Sequence, residues 1–296
     1  MQILKKLTKR NENKFHLPYL QIKDVQRIIL KLKSSNSRGH DEITSRIIKK
    51  IYKEISPVLC HLYNNMIRTS YFPQIFKLSR ITPLRKGSKN PLLIDSFRPV
   101  NNLVFLEKIF EEHWLEHLTP FLDSNSIIQN GQHGGRKKHS TITALTAITH
   151  QLNYNWDNDL ISATLTTDQT AGFNTVDTSI LLDKMEHYGI RDKELSLFKS
   201  YLSERYQFTQ IDTFNSTILK SLDCSCIQGG KLSGTIYSIY TSEIPLLYKL
   251  LYDDFLEEII GEPKWDQKEN INHMVINFVD DSTSIIGFKG TELVKK

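Results

Sequence analysis

The sequence predicts an α+β fold, and three observations carry that reading. Apolar residues recur mainly at helical spacing as far as about residue 160, with one short β-like run at 80–84. From 161 onward, β-rich runs alternate with further helical stretches, and no internal repeat or low-complexity tract interrupts them. Helices first, then helices and strands mixed, is the order expected of an antiparallel sheet packed on helices. At 296 residues the chain is long enough to bury a substantial core.

Each element has a local reason. Residues 1–20 are charged and irregular and read as an N-terminal extension. Ile22, Val25, Ile28, Ile29 and Leu32 share one helical face, and the polar run from Lys33 to Gly39 ends that helix. A long amphipathic helix follows over 42–70, with an interruption expected at Pro57 and a stop at Phe72-Pro73. After the strand at 80–84 comes the basic loop Arg85-Lys86-Gly87-Ser88-Lys89-Asn90-Pro91, and then a helix expected to start after Arg98-Pro99 and to carry Leu103, Phe105, Leu106, Ile109 and Phe110. Helices are predicted at 140–155, 177–188 and 193–203, a hairpin over 206–222, and a helix at 231–250 behind a glycine-rich loop. Residues 161–168 read as a strand ending in Asp168, and 273–288 as strand, acidic turn, strand.

Bulk properties exclude more than they identify. The net charge of +5 suits a polyanionic partner without requiring one. Cys60, Cys224 and Cys226 form no disulfide framework and no zinc-ligand spacing, which fits a reducing compartment. The N-terminus has no signal-peptide pattern, and no window approaches the roughly 20 apolar residues that span a bilayer. The expectation is a soluble protein of the nucleus or cytoplasm with no membrane contact.

The chemistry concentrates in acidic residues. Asp280 and Asp281 sit between two apolar, β-branched runs, Met274–Val279 and Ser282–Ile286. Taken alone, the pair fits a solvated hairpin turn as readily as a metal site. Asp168 changes the balance, because a third carboxylate ends another β-like run. Adjacent negative groups repel unless a cation sits between them. Phosphoryl-transfer enzymes resolve this with two divalent ions, and hard oxygen ligands suit Mg²⁺. Tyr252-Asp253-Asp254-Phe255 also pairs aspartates, but apolar residues around it recur at helical spacing, so it reads as a solvated helix face.

These residues resemble the reverse transcriptases of non-LTR retrotransposons (the LINE type) over nearly the whole chain. The blocks run in order: Lys33-Ser34-Ser35 with Gly39-His40-Asp41-Glu42-Ile43; Phe72-Pro73, Phe76-Lys77, Pro83 and Lys86-Gly87; Phe97-Arg98-Pro99-Val100; Glu107-Lys108-Ile109-Phe110-Glu111; Gln132-His133-Gly134-Gly135-Arg136 with Ser140-Thr141; Asp168 and Phe173-Asn174-Thr175-Val176-Asp177; Tyr188-Gly189-Ile190; Ser200-Tyr201-Leu202 with Arg205; Gln228-Gly229-Gly230; and Phe278-Val279-Asp280-Asp281. The resemblance implies a right-hand polymerase, with fingers and the start of the palm in 21–160 and the palm in 161–296. It implies RNA-directed DNA synthesis on an RNA template, adding deoxynucleoside triphosphates to a DNA primer 3′-hydroxyl. Asp168, Asp280 and Asp281 are implied as catalytic ligands of two Mg²⁺ ions, with Mn²⁺ as a substitute. Lys86 and Arg98 are implied to meet the incoming triphosphate, Phe173 to crowd the sugar 2′ carbon, and Gln228 and Gly229 to approach template base and nucleotide.

The sequence departs from the family at several points. Asn174 stands where aspartate is expected, Gly172 where alanine is usual, Gly135 for an aromatic, Gly230 for serine, and Ser233-Gly234 for Gly-Pro. The sequence ends just past the acidic hairpin, so the palm is expected to be incomplete and the thumb absent, supplied by another chain or segment. Two further readings follow: an inactive remnant that at most binds nucleic acid, and an RNA-templated RNA polymerase, against which Phe173 argues.

Overall fold

The computed structural model describes residues 8–87, 90, 92–169, 172–211, 214–216, 220–221, 229–248, 250, 272–279 and 281–289. In chain order they form α1 (Ile22–Lys31), α2 (Ser45–Lys50), α3 (Tyr52–Thr69), β1 (Leu78–Arg85), β2 (Phe97–Asn102), α4 (Phe105–Ser124), α5 (Thr141–Asp157), β3 (Leu160–Asp168), α6 (Thr178–His187), α7 (Asp192–Leu202), β4 (Tyr206–Ile211), β5 (Phe214–Asn215), β6 (Lys220–Ser221), α8 (Ser233–Tyr240), β7 (Asn272–Phe278) and β8 (Asp281–Lys289). The α+β class is observed. The chain divides into two compact units: 10–125 with 173–233, and 126–172 with 234–296, to which 1–9 belong. Among the described residues no helix is long and apolar enough to cross a membrane.

In the unit of 10–125 and 173–233, α4 is the central helix. Phe110, Trp114, Leu118 and Leu122 are fully buried along it. Around them pack Tyr63 of α3, Phe72, and Phe198 and Tyr201 of α7, with the Phe72 and Tyr201 rings edge-to-face at 5.0 Å. Burial of this aromatic cluster, with the aliphatic side chains around it, stabilises the unit. Its sheet runs β2-β1-β4-β5, with β6 also on β4; β1 and β4 are parallel, and the other pairs antiparallel.

Three local outcomes differ from the sequence reading. The helix expected to break at Pro57 breaks instead at Ile51, and Pro57 rides inside α3. So near the start of a helix, proline removes one hydrogen bond, the one to the Lys53 carbonyl, and the remaining turns carry on. A strand, β2, occupies Phe97–Asn102, and the helix begins only at Phe105. Pro99 is tolerated there because β2 is an edge strand, and its register partner Pro83 lies beyond the part of β1 that pairs with β4. The third concerns the N-terminal extension. It contains no helix or strand from 8 to 20, as expected, yet it is packed: Phe15, Leu17 and Leu20 are buried, and Phe15 meets the Phe121 ring at 5.4 Å. Asn11 and Phe15 donate backbone hydrogen bonds to the carbonyls of His187 and Gly189.

In the unit of 126–172 and 234–296 the sheet order is β3-β8-β7, all antiparallel, with α5 against it. Ser140 caps α5 by accepting from the Thr143 amide. The helix keys into the sheet at one point. Asn155, fully buried, donates to Ser162 Oγ at 2.9 Å and accepts from Gln151 at 2.9 Å. Gly287 is the register partner of Ser162, and a side chain at 287 would run into the Asn155 amide group at 2.6 Å. β3 is an edge strand among the described residues, and Ile161 and Leu165 on it are about half exposed (51% and 55%).

If the N-terminal segment is part of the fold, Phe15→Ala will lower the unfolding free energy by about 3 kcal/mol. Urea denaturation followed by circular dichroism measures this; a loss below about 1 kcal/mol would show that the segment merely lies on the surface.

Candidate active site

The alternation of side chains along a strand, combined with the register of β3 on β8, decides which acids meet. The pairing runs from Leu160↔Lys289 to Asp168↔Asp281 without a slip. Asp168 and Asp281 are therefore direct cross-strand neighbours, on one face at one end of the sheet, both at exposed positions. Side chains so placed have Cβ atoms about 5 Å apart, and like charges there are destabilising without a counter-ion. Asp281 also pairs with Phe278 across the hairpin. Asp280 lies outside the described residues. Among those described, no group of three His, Cys, Asp or Glu side chains could hold a metal, so two of the three expected ligands come together here. Both are hard oxygen donors, which fits Mg²⁺ or Mn²⁺.

The turn leading to these acids is strained. Val279 has φ +60, a left-handed conformation that costs a β-branched residue about 1–2 kcal/mol. Beside Asp168, Gln169 Oε1 accepts a hydrogen bond from the Tyr237 hydroxyl of α8. That hydroxyl occupies the space a side chain at 172 would take, 2.3 Å from an added Cβ. Gly172, a departure from the family pattern, is thus matched to Tyr237.

The candidate nucleotide residues that are described fall in the other unit, except that Gln228 lies outside the described residues. Lys86 and Arg98 are exposed on one hairpin: the Lys86 amide donates to the Ser96 carbonyl at 2.8 Å, and Arg98 pairs with Leu84. Gly229 has φ +98, and an added Cβ would come within 2.4 Å of the Asn101 carbonyl at the far end of β2. Glycine is required there. Phe173 is half-buried on the 3₁₀ turn Gly172–Asn174. Asp177 turns out to be the N-cap of α6; the hydrogen bond it accepts from the Ser179 hydroxyl, with those from the Ile180 and Ser179 amides, holds its carboxyl below the ordinary range. Of the cysteines, Cys60 is a free, buried thiol; Cys224, Cys226 and the acidic pair at 253–254 lie outside the described residues.

A buried ionic network supports the Gly229 loop, and no role was assigned to it from sequence. Arg205, 2% exposed, pairs with Glu107, 0% exposed, at 2.6 Å. One turn along α4, the buried Glu111 accepts from the Tyr201 hydroxyl and from the Lys231 amide at 2.8 Å. The Lys231 ammonium reaches Glu112. Of the two buried carboxylates only Glu107 is paired with the guanidinium, and its Oε2 has no hydrogen-bond partner among the described residues. Burial pushes Glu107 up to about 8, against the pull of Arg205, and Glu111 is raised as well. Glu107 and Glu111 stood in one family block and Tyr201 and Arg205 in another, but nothing in the sequence paired the two blocks.

Comparison with known proteins identifies the family. Residues 84–290, well over half the chain, match the family described as reverse transcriptase (RNA-dependent DNA polymerase). The chain belongs to the reverse transcriptase family, and it is of the non-LTR retrotransposon type. It is 27% identical over 237 residues to the RNA-directed DNA polymerase from mobile element jockey of Drosophila melanogaster, covering 77% of this chain and 25% of that protein. The jockey polymerase of Drosophila funebris is 27% identical over 232 residues (76% and 24%), and the probable RNA-directed DNA polymerase from transposon X-element of Drosophila melanogaster is 24% identical over 230 (75% and 24%). The chain spans about a quarter of the length of these curated relatives. Family membership implies a polymerase palm.

The Glu107–Glu111 pair predicts a pH dependence. The folded protein holds a proton near pH 8 that an unfolded glutamate releases near 4.5, so this contribution to stability is complete below about 4.5 and is lost as pH rises through about 8. Unfolding free energies of the unmodified chain from urea titrations will fall between about pH 5 and pH 8, by at most about 1.4 kcal/mol per pH unit, and level off above that, and Glu107→Gln will flatten the slope.

Proposed function

We propose that this chain is the fingers and palm of an RNA-directed DNA polymerase, adding deoxynucleotides to a primer 3′-hydroxyl. The observation that carries the reading is the direct pairing of Asp168 with Asp281, within a chain of the reverse transcriptase family. Asp168, Asp280 and Asp281 would hold two Mg²⁺ ions. When bound, these supply Lewis-acid activation of the primer hydroxyl and neutralise charge on the departing pyrophosphate.

The chain's own groups do the positioning. Lys86 and Arg98 offset the triphosphate charge, and a guanidinium does so bidentately. The Phe173 ring closes the space a 2′-hydroxyl would need and so selects deoxynucleotides. Gln228 and Gly229 lie along the template base, where glycine permits close backbone approach. An RNA template and a DNA primer are the partners. The drifted positions 174, 230 and 233–234 favour the second reading, an inactive remnant.

Primer extension on an RNA template with Mg²⁺ separates the two. The unmodified chain will extend, while Asp168→Asn and Asp280→Asn will fall to background; equal signals from all three would leave only the remnant. In the same assay Phe173→Ala will raise ribonucleotide use relative to deoxynucleotide use, on the order of 10-fold or more.

A further inference from the structure

We infer that Gln132 is a positioning residue for the acidic turn, acting through the Val279 backbone to hold Asp281 opposite Asp168 for metal binding. The inference rests on the polymerase reading above and assigns a role within the same site.

The segment Gly131–Gly134 lies alongside the end of β7 as a short extra strand. Asn277 donates its amide to the Gly131 carbonyl at 2.8 Å, His133 donates to the Asn277 carbonyl at 2.7 Å, and Gln132 bridges Asn277 in parallel. Gln132 is 3% exposed, so its polar side chain must find partners inside the protein. Its Oε1 accepts from the Gly134 amide at 3.0 Å and from the Val279 amide at 3.4 Å. One oxygen thus ties the segment to the turn residue next to Asp280. Val279 is the residue with φ +60, a conformation that needs outside support.

The fit is tight as well as polar. A Cβ on Gly134 would stand 2.3 Å from the Val279 nitrogen and 2.6 Å from its Cγ2. Backbone therefore lies against backbone at the turn, and the left-handed Val279 is enclosed rather than free to relax. The α5 end of the segment is anchored too: His133 Nδ1 is 2.9 Å from Thr143 Oγ1, and the Arg136 guanidinium donates to the Gln129 carbonyl at 3.1 Å. Releasing the Oε1 contact would loosen that enclosure, letting the turn relax and carry Asp281 away from Asp168.

The test uses the full chain and three variants. Gln132→Met keeps length and removes the acceptor; Gln132→Glu keeps an acceptor oxygen; Asp168→Asn removes a ligand. Two readouts are taken: hydrogen–deuterium exchange of peptides spanning 274–286 in metal-free protein, and Mn²⁺ binding followed by loss of the free-ion electron paramagnetic resonance signal. The expected result is faster exchange at the turn and about tenfold weaker Mn²⁺ binding in Gln132→Met, with both restored to within threefold in Gln132→Glu. Unchanged exchange in Gln132→Met, or changed exchange with unchanged Mn²⁺ affinity, overturns the inference. If the unmodified chain binds no Mn²⁺ beyond Asp168→Asn, the metal-site reading itself fails and this role fails with it. That case is recognisable because the exchange response to Gln132→Met persists.

Discussion

The contact of Asn155 with the Ser162–Gly287 pair sets the geometry on which everything at the acidic end depends. Side chains alternate along a strand, so a slip of one residue sends every group to the opposite face. Asn155 opposes such a slip in two ways: its amide bonds the Ser162 hydroxyl, and its bulk tolerates only glycine at 287. Ile286 or Phe288 in that place would clash. Six residues along, the same register sets Asp168 opposite Asp281. A buried amide far from the chemistry thus fixes where two like charges meet, against their repulsion.

The other unit shows a second use of buried polarity. Several blocks that carry the family resemblance are fold staples. Phe72 packs on Tyr201, Glu107 pairs with Arg205, Glu111 ties the loop at 230–231, and Asp177 caps α6. Breaking such a buried pair strands a charge in an apolar setting, which is a stronger constraint than the net stabilisation the pair provides. Family blocks therefore mix catalytic groups with groups that only shape the backbone, and sequence order alone does not sort them.

Strong local signals were legible. The β-branched runs around the acidic turn and before Asp168 gave the strands, and apolar periodicity gave α1 and α5–α7 nearly to the residue. What was not legible depended on tertiary placement. β2 was hidden by Pro99, acceptable only because that strand lies at an edge. The burial of Phe15 and Leu17 could not be read from a charged, irregular segment, since their partners lie over 100 residues away. The pairing of Asp168 with Asp281 was expected as convergence, but the opposed register is a property of the sheet. Gln132 stood in a family block, but nothing in the sequence pointed to its contact with Val279, which lies 147 residues away.

β3 has one more consequence for the molecule in solution. Among the described residues one of its sides has no neighbouring strand, and Ile161 and Leu165 stand half in water. A backbone border of that kind is a template for any extended peptide, including a second molecule of the same protein. A strand that paired with it would set its own alternate side chains beside Ile161 and Leu165, on the same ribbon that ends in Asp168.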